Sequence, residues 1–263
     1  MNLKQTLQKR GIAVFDNIFD EQEIKFLREK FIENCDYADQ GDDRRYGGKG
    51  GTVKCKYLEL KDIYKLGLLE KIINSKFKRI IKSIMPDGQV WRFYYIQTPP
   101  NQSRPHFIPK GGGIGDFHYD RKNPVYKDER IDFIDFSIYL NDVGENDGNY
   151  AFYPSSPKRK PLGFEKIINV YGKAGTVITS RVDWFHSATP NINKNPRHLL
   201  RIALCKNFFD IDDYFEERKE ISKYYKSKDE FLSFIFGSDR RWYKGVEING
   251  LSEKNIPEFQ SPK

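Results

Sequence analysis

Apolar and polar positions along the chain fall into two textures. The first, over residues 1–88, is mostly helical in period. Gly11-Ile-Ala-Val-Phe15 reads as a short strand, and Asp20 then opens a helix with Glu23 three positions on as its capping partner and Ile24, Leu27 and Phe31 at helical spacing behind it. Between Tyr37 and Gly51 the chain is polar and glycine-rich and reads as a loop. Ile63, Leu66, Leu69, Ile73, Phe77, Ile80 and Ile84 recur at intervals of three and four. They predict one helix over 62–84, the longest in the chain, stopped by Pro86.

After residue 88 short runs bounded by Gly, Pro, Asn and Asp replace that period. Residues 89–97, 115–120, 133–141, 149–153, 166–171, 175–180 and 198–209 read as strands, and so many short strands at such spacing predict a β-sandwich or barrel. Two of them also say which way they face. In 133–141, Ile134, Phe136, Ile138 and Leu140 share one side and Asp135, Ser137 and Tyr139 the other; in the last strand Leu200, Ile202 and Leu204 oppose Arg197, Leu199, Arg201 and Ala203. An arginine facing a pocket is costly unless an anion meets it. The tail from Asp210 is charged and aromatic, with a helical stretch at 231–236. The expectation is one domain over 1–263: a strand and helices in 1–88, a jelly-roll core in 89–209 and an extension in 210–263.

Composition narrows the class. With 38% hydrophobic and 15% aromatic residues, 20 Phe and 16 Tyr among them, the chain is too apolar for disorder even though 31% of it is charged. No apolar stretch approaches the roughly 20 residues needed to cross a bilayer, and no apolar segment follows the basic start, so the expectation is a cytoplasmic protein with no membrane partner. Cys35, Cys55 and Cys205 are odd in number and far apart, which fits free thiols better than a zinc site or a disulfide framework. A net charge of +8 and a pI near 9.1 favour an anionic partner. The basic residues are dispersed and no basic-aromatic stripe is present, which argues against nucleic acid.

One constellation carries chemistry. In Phe117-His118-Tyr119-Asp120, residues 118 and 120 share a face of an extended strand, so an imidazole and a carboxylate reach one ion from one side, and Trp184-Phe185-His186 supplies a second imidazole. Two histidines and one carboxylate take three adjacent corners of an octahedron and leave three open, the arrangement of non-haem Fe(II) oxygenases. Eleven residues after His186 stands Arg197, whose guanidinium suits the distal carboxylate of 2-oxoglutarate.

These residues lie in a frame that resembles the phytanoyl-CoA dioxygenase (PhyH-like) family of Fe(II)/2-oxoglutarate oxygenases. Gly11 to Phe15 and the helix start Asp20-Glu-Gln-Glu-Ile24 are similar to that family's opening strand and helix. His118-Tyr-Asp120 follows, and Phe136-Ser-Ile-Tyr-Leu-Asn-Asp-Val143 with Asn146-Asp-Gly148 is similar to the stretch where a strand ends in L-D-D and leads through N-G. His186 to Arg201 matches the distal histidine and arginine. The chain departs from the family at Pro154-Ser-Ser-Pro157, where relatives commonly carry Pro-Gly-Ser-His, and in the glycine-rich 110–115. The resemblance implies a double-stranded β-helix (jelly roll, cupin-like) with N-terminal helices packed outside. It also implies Fe(II), 2-oxoglutarate and O₂, with ascorbate as a reductant, and an oxidation coupled to release of succinate and CO₂. A carboxylate at Asp120 favours hydroxylation over halogenation, because halogenating members of the wider superfamily carry a small residue there.

His118, Asp120 and His186 are thus the expected metal ligands and catalytic centre. Arg197 is the first choice for 2-oxoglutarate, Arg201 the second, and Gln97 a further donor at a strand end. Arg121, Lys122 and Tyr126 follow the metal carboxylate, and His106 sits in a proline-rich loop over 99–109, all candidates to touch substrate; neither His106 nor His198 is expected to bind metal. The substrate expected is a small, anionic molecule. Two alternatives stand beside it: a protein or nucleic-acid oxygenase with the same iron site, and a non-catalytic cupin-like binding protein.

Overall fold

The structure, a computed structural model, describes residues 3–37, 56–101, 117, 133–154, 166–205 and 228–236. The chain begins with α1 (Leu3–Arg10), β1 (Ile12–Phe15) and α2 (Glu21–Asn34). α2 starts as its sequence dictates. Glu23 N donates to Asp20 Oδ1 at 2.7 Å and Asp20 N to Glu23 Oε2 at 2.8 Å, satisfying amides that a helix start otherwise leaves open. Its Ile24, Leu27 and Phe31 face is buried.

Residues 62–84 do not form the single long helix that their period predicts. They fold as part of α3 (Leu60–Lys65), then α4 (Leu69–Ile72) and α5 (Ser75–Ile84), and the longest described helix is α2 with 14 residues. Gly67 takes φ +67°, which carries the chain out of α3, and Asn74 starts α5 afresh by accepting from Lys76 N and Phe77 N at 3.1 and 2.9 Å. The apolar period survives these breaks because the short helices still turn Ile63, Leu69, Ile73, Phe77 and Ile84 into one core.

Strands β2 (Asp36–Tyr37) and β3 (Lys56–Glu59) were not legible as strands and extend one edge of a sheet. The remaining strands are β4 (Gln89–Thr98), β5 (Phe133–Tyr139), β6 (Tyr150–Phe152), β7 (Ile168–Val170), β8 (Val177–Arg181), β9 (His186–Ala188) and β10 (Arg197–Cys205), and all but β9 fall close to the expected runs. The strand expected at 115–120 apart from Phe117, the end of the one expected to reach 209, and the loop after Tyr37 lie outside the described residues.

Among the described residues seven strands pair in the order β1-β8-β5-β10-β4-β3-β2 and three in the order β7-β6-β9, with each of these pairings antiparallel. The large sheet is apolar on one face and mixed on the other. Ile134, Phe136, Ile138, Leu200, Ile202 and Leu204 pack against the helices in a single core, where Phe77 meets Phe136 edge to face at 5.1 Å, a contact worth about 1 kcal/mol beyond its burial. α6 (Glu230–Phe236) closes the same side, with Phe236 against Phe93 at 5.9 Å. The other face lies over the small sheet, and Tyr139, Ile178 and Leu199 from one sheet meet Tyr150, Phe152 and Val170 from the other. This is a double-stranded β-helix with helices outside it. Cys35 and Cys205 are buried, and neither is in a disulfide among the described residues. Among the described residues no helix is long and apolar enough to cross a membrane.

Candidate active site

Of the candidate residues that are described, His186, Arg197 and Arg201 face the interior between the sheets. His186 opens β9, pairs with Phe152 and is 4% exposed. Its Nδ1 lies 2.8 Å from the carbonyl of Trp184; a carbonyl only accepts, so Nδ1 carries the proton and Nε2 keeps its lone pair. The Tyr150 ring stacks on the imidazole at 5.3 Å and 14° and limits its rotation. A histidine held this way, with the far nitrogen basic and its plane fixed, fits a divalent metal.

Residues 181–185 hold that histidine in place. Arg181 and Asp183, both 5% exposed, form a bidentate pair, Nε to Oδ1 at 2.9 Å and Nη2 to Oδ2 at 2.7 Å. The guanidinium also lies 5.7 Å from the Trp184 ring, whose Nε1 donates to Tyr153 O at 2.8 Å. Gly11, at φ +73°, passes directly under that ring; a Cβ there would lie 2.0 Å from Trp184 Cδ2. The residue that leads into β1 therefore lies against the residue whose carbonyl orients His186.

His118 and Asp120 lie outside the described residues, as do Arg121, Lys122, Tyr126 and His106. Among the described residues no group of three His, Cys, Asp or Glu is placed to hold a metal. Phe117 is described, and its ring stacks on Phe185 at 6.1 Å and meets Tyr153 edge to face at 4.7 Å. The residue before His118 thus touches the residue before His186. Within the described residues β9 pairs on one side, with β6.

Arg197 and Arg201 share the inner face of β10 and have different surroundings. Arg197 is 2% exposed and donates through Nη2 to Thr98 Oγ1 at 2.9 Å and through Nη1 to the carbonyl of Gly148. Those contacts orient the guanidinium, and neither removes its charge. Gly148, at φ +76°, brings its backbone close; a Cβ there would approach Arg197 Cδ to 3.6 Å and Asn191 Cβ to 3.3 Å. Burial pushes the Tyr139 hydroxyl up to about 12, against the opposing pull of its bond from Tyr150 N and of the Arg197 charge. Tyr139, Tyr150 and His186 thus run from the arginine to the histidine. Arg201, by contrast, donates to Asp135 Oδ2 through Nε at 2.7 Å and again through Nη2, and reaches Tyr94 Oη at 3.1 Å. Its charge is met by a carboxylate within the wall.

Gln97 does not join them. It pairs opposite His198 and Lys56, one residue out of phase with Thr98, so it stands on the face of β4 away from Arg197. His198 is turned outward as well, its Nδ1 2.7 Å from Tyr95 Oη, and burial drives its pKa down to about 4. Thr98 and Gly148 hold Arg197, Tyr150 and Trp184 hold His186, and none of the four was singled out in the sequence. Only Gly148 and Trp184 carried a signal, through the Asn-Asp-Gly turn and the stretch ending at His186.

The jelly roll thus holds an inward histidine on the small sheet and an inward arginine at the start of β10. A model of the phytanoyl-CoA dioxygenase (PhyH) family matches residues 7–199, and the chain belongs to that family. No curated protein sequence matches it. Among solved structures it is similar to HygX from Streptomyces hygroscopicus, bound to nickel, 2-oxoglutarate and hygromycin B, with TM-score 0.53, 15% identity, and 79% of this chain and 87% of that one covered. The epimerase SnoN from nogalamycin biosynthesis, with Fe3+, alpha ketoglutarate and nogalamycin RO, gives TM-score 0.54, 15% identity and 77% and 82% coverage. AviO1 from Streptomyces viridochromogenes gives 0.54, 16%, 76% and 92%.

Proposed function

We propose that this chain is an Fe(II)/2-oxoglutarate-dependent dioxygenase that hydroxylates, or otherwise oxidises at a C–H bond, a small anionic molecule. His118, Asp120 and His186 hold the metal, and Arg197 receives the distal carboxylate of 2-oxoglutarate. When bound, the metal and 2-oxoglutarate supply the oxidising power, with O₂ consumed and succinate and CO₂ released.

The observation that carries the reading is the contact of Phe117 with Phe185. It ties the His118 segment to the start of β9, the same strand whose His186 has Nδ1 committed to a backbone carbonyl. Arg197 then orients 2-oxoglutarate with a guanidinium already fixed by Thr98 and Gly148, so little ordering is left for the moment of binding. The aromatic lining of Tyr139, Tyr150 and Phe152 excludes water around the reacting groups.

The small-molecule part is favoured by the ligands of the structural relatives, hygromycin B for HygX and nogalamycin RO for SnoN. The anionic part rests on Arg121 and Lys122 beside the metal carboxylate and on the charge of +8, since Arg201 is answered by Asp135. The test is succinate formation from 2-oxoglutarate over a library of small acids, thioesters and amino acids, each beside its neutral amide or ester, at two salt concentrations. Turnover of acids that falls with salt supports both parts. Equal turnover of neutral analogues removes the charge, and no turnover by an iron-loaded protein with any member removes the small-molecule reading.

A further inference from the structure

β10 lies between β4 and β5 along most of its length, and its register runs with both strands from Leu199 to Cys205. At Arg197 and His198 the β4 side continues, opposite Thr98 and Gln97, while β5 has already ended at Tyr139. The turn of β10 that carries the buried arginine is therefore the turn where one neighbouring strand has left. A strand end with an unmatched backbone amide frays, and a side chain rooted there moves with it.

One side chain and one backbone amide take over the vacated ladder. His198 N donates to Asn141 Oδ1 at 2.7 Å, and Leu140 N donates to His198 O at 2.9 Å. Asn141 is held with that oxygen forward because its Nδ2 donates to Asp142 O at 2.8 Å. Behind it, Arg28 of α2 donates through Nη1 to Leu140 O at 3.2 Å, and Tyr95 Oη meets His198 Nδ1 at 2.7 Å. The backbone N–H and C=O of His198 on the β5 side are thus matched by a side-chain oxygen and by the first residue beyond the strand.

We infer that Asn141 is a positioning residue for Arg197, its amide oxygen standing in for the missing strand so that the guanidinium is held rigidly toward 2-oxoglutarate. This rests on the assignment of Arg197 above. Asn141 touches neither metal nor cosubstrate; it acts through the His198 amide, one residue from Arg197, with Tyr95 bracing the same residue from the helix side.

The test measures 2-oxoglutarate binding to the Fe(II)-loaded protein without O₂, and amide hydrogen exchange at residues 197–198 in the metal-free protein. Asn141→Ala removes the acceptor and Asn141→Asp retains one. Asn141→Ala weakens 2-oxoglutarate binding about fivefold, the loss expected for one hydrogen bond, with faster exchange at 198 and unchanged iron content. Asn141→Asp restores both, and in turnover the loss falls on KM for 2-oxoglutarate rather than on kcat. Tyr95→Phe, which keeps the packing and removes only the hydroxyl, shifts affinity the same way should Asn141→Ala fail to fold. Arg197→Leu separates the two levels of argument. If it leaves binding unchanged, the assignment of Arg197 fails. If it abolishes binding while Asn141→Ala and Tyr95→Phe do not weaken it, or Asn141→Asp behaves like alanine, the positioning role is wrong.

Discussion

Phe117 stacks on Phe185 with ring centroids 6.1 Å apart and planes at 25°, so two residues 68 positions apart in the chain meet directly beside the two histidines that follow them. Neither ring is a ligand. Their contact holds residue 117 against the residue that precedes β9, which matters because ligands contributed from distant parts of the chain bind one ion only if their backbones are held at a fixed separation.

Iron binding checks this first. His118→Ala and His186→Ala are each expected to lower bound iron from about one Fe(II) per chain to near zero after anaerobic reconstitution, since two remaining ligands hold the ion poorly. Full iron in the double variant would remove the assignment.

The two arginines of β10 separate by experiment. Arg197→Leu is expected to weaken 2-oxoglutarate binding while leaving iron in place, the lost contact being a charge-assisted pair worth roughly 1.5–3 kcal/mol. Arg201→Leu is expected to act on stability instead, because it leaves Asp135, 2% exposed, without its guanidinium. Removing one partner of a buried pair costs about 3–5 kcal/mol, which urea unfolding would read. Should Arg201→Leu be stable and blind to 2-oxoglutarate, the roles are reversed.

Gly11→Ala tests the coupling of the first strand to the site. The new Cβ would lie 2.0 Å from the Trp184 ring at a backbone φ of +73°, so the expected loss is about 2 kcal/mol or more, with weaker iron retention because Trp184 O orients His186. A variant as stable as the parent would mean that the ring moves aside freely.

The buried His198 gives a pH dependence. Its folded pKa of about 4 lies below the ordinary 6.5, so the folded state resists a proton that the unfolded state accepts. Its contribution is intact above pH 6.5 and is lost as pH falls from there through about 4, a span of about 3 kcal/mol. His198→Gln is expected to flatten the stability profile in that window and leave it unchanged near neutrality. Unfolding midpoints measured across the window would show whether the slope remains.

The β-rich frame, the faces of β5 and β10, the capped start of α2 and the residue types proposed for a metal and anion site were legible in the sequence. Each of these follows from local period or from chemistry carried by single side chains. The sequence misplaced the helix boundaries within 62–84, because Gly67 and Asn74 break the backbone without disturbing the apolar spacing that marks the core. The tertiary structure alone decided which arginine meets a carboxylate and which is held by a hydroxyl and a carbonyl, since Arg197 and Arg201 share one face and one spacing and differ only in what β4, β5 and the turn at Gly148 place across from them. It also turned Gln97 away from Arg197 through a one-residue difference in register, which a period of two converts into the opposite face. Pairing partners come from segments distant in the chain, and no local pattern encodes them.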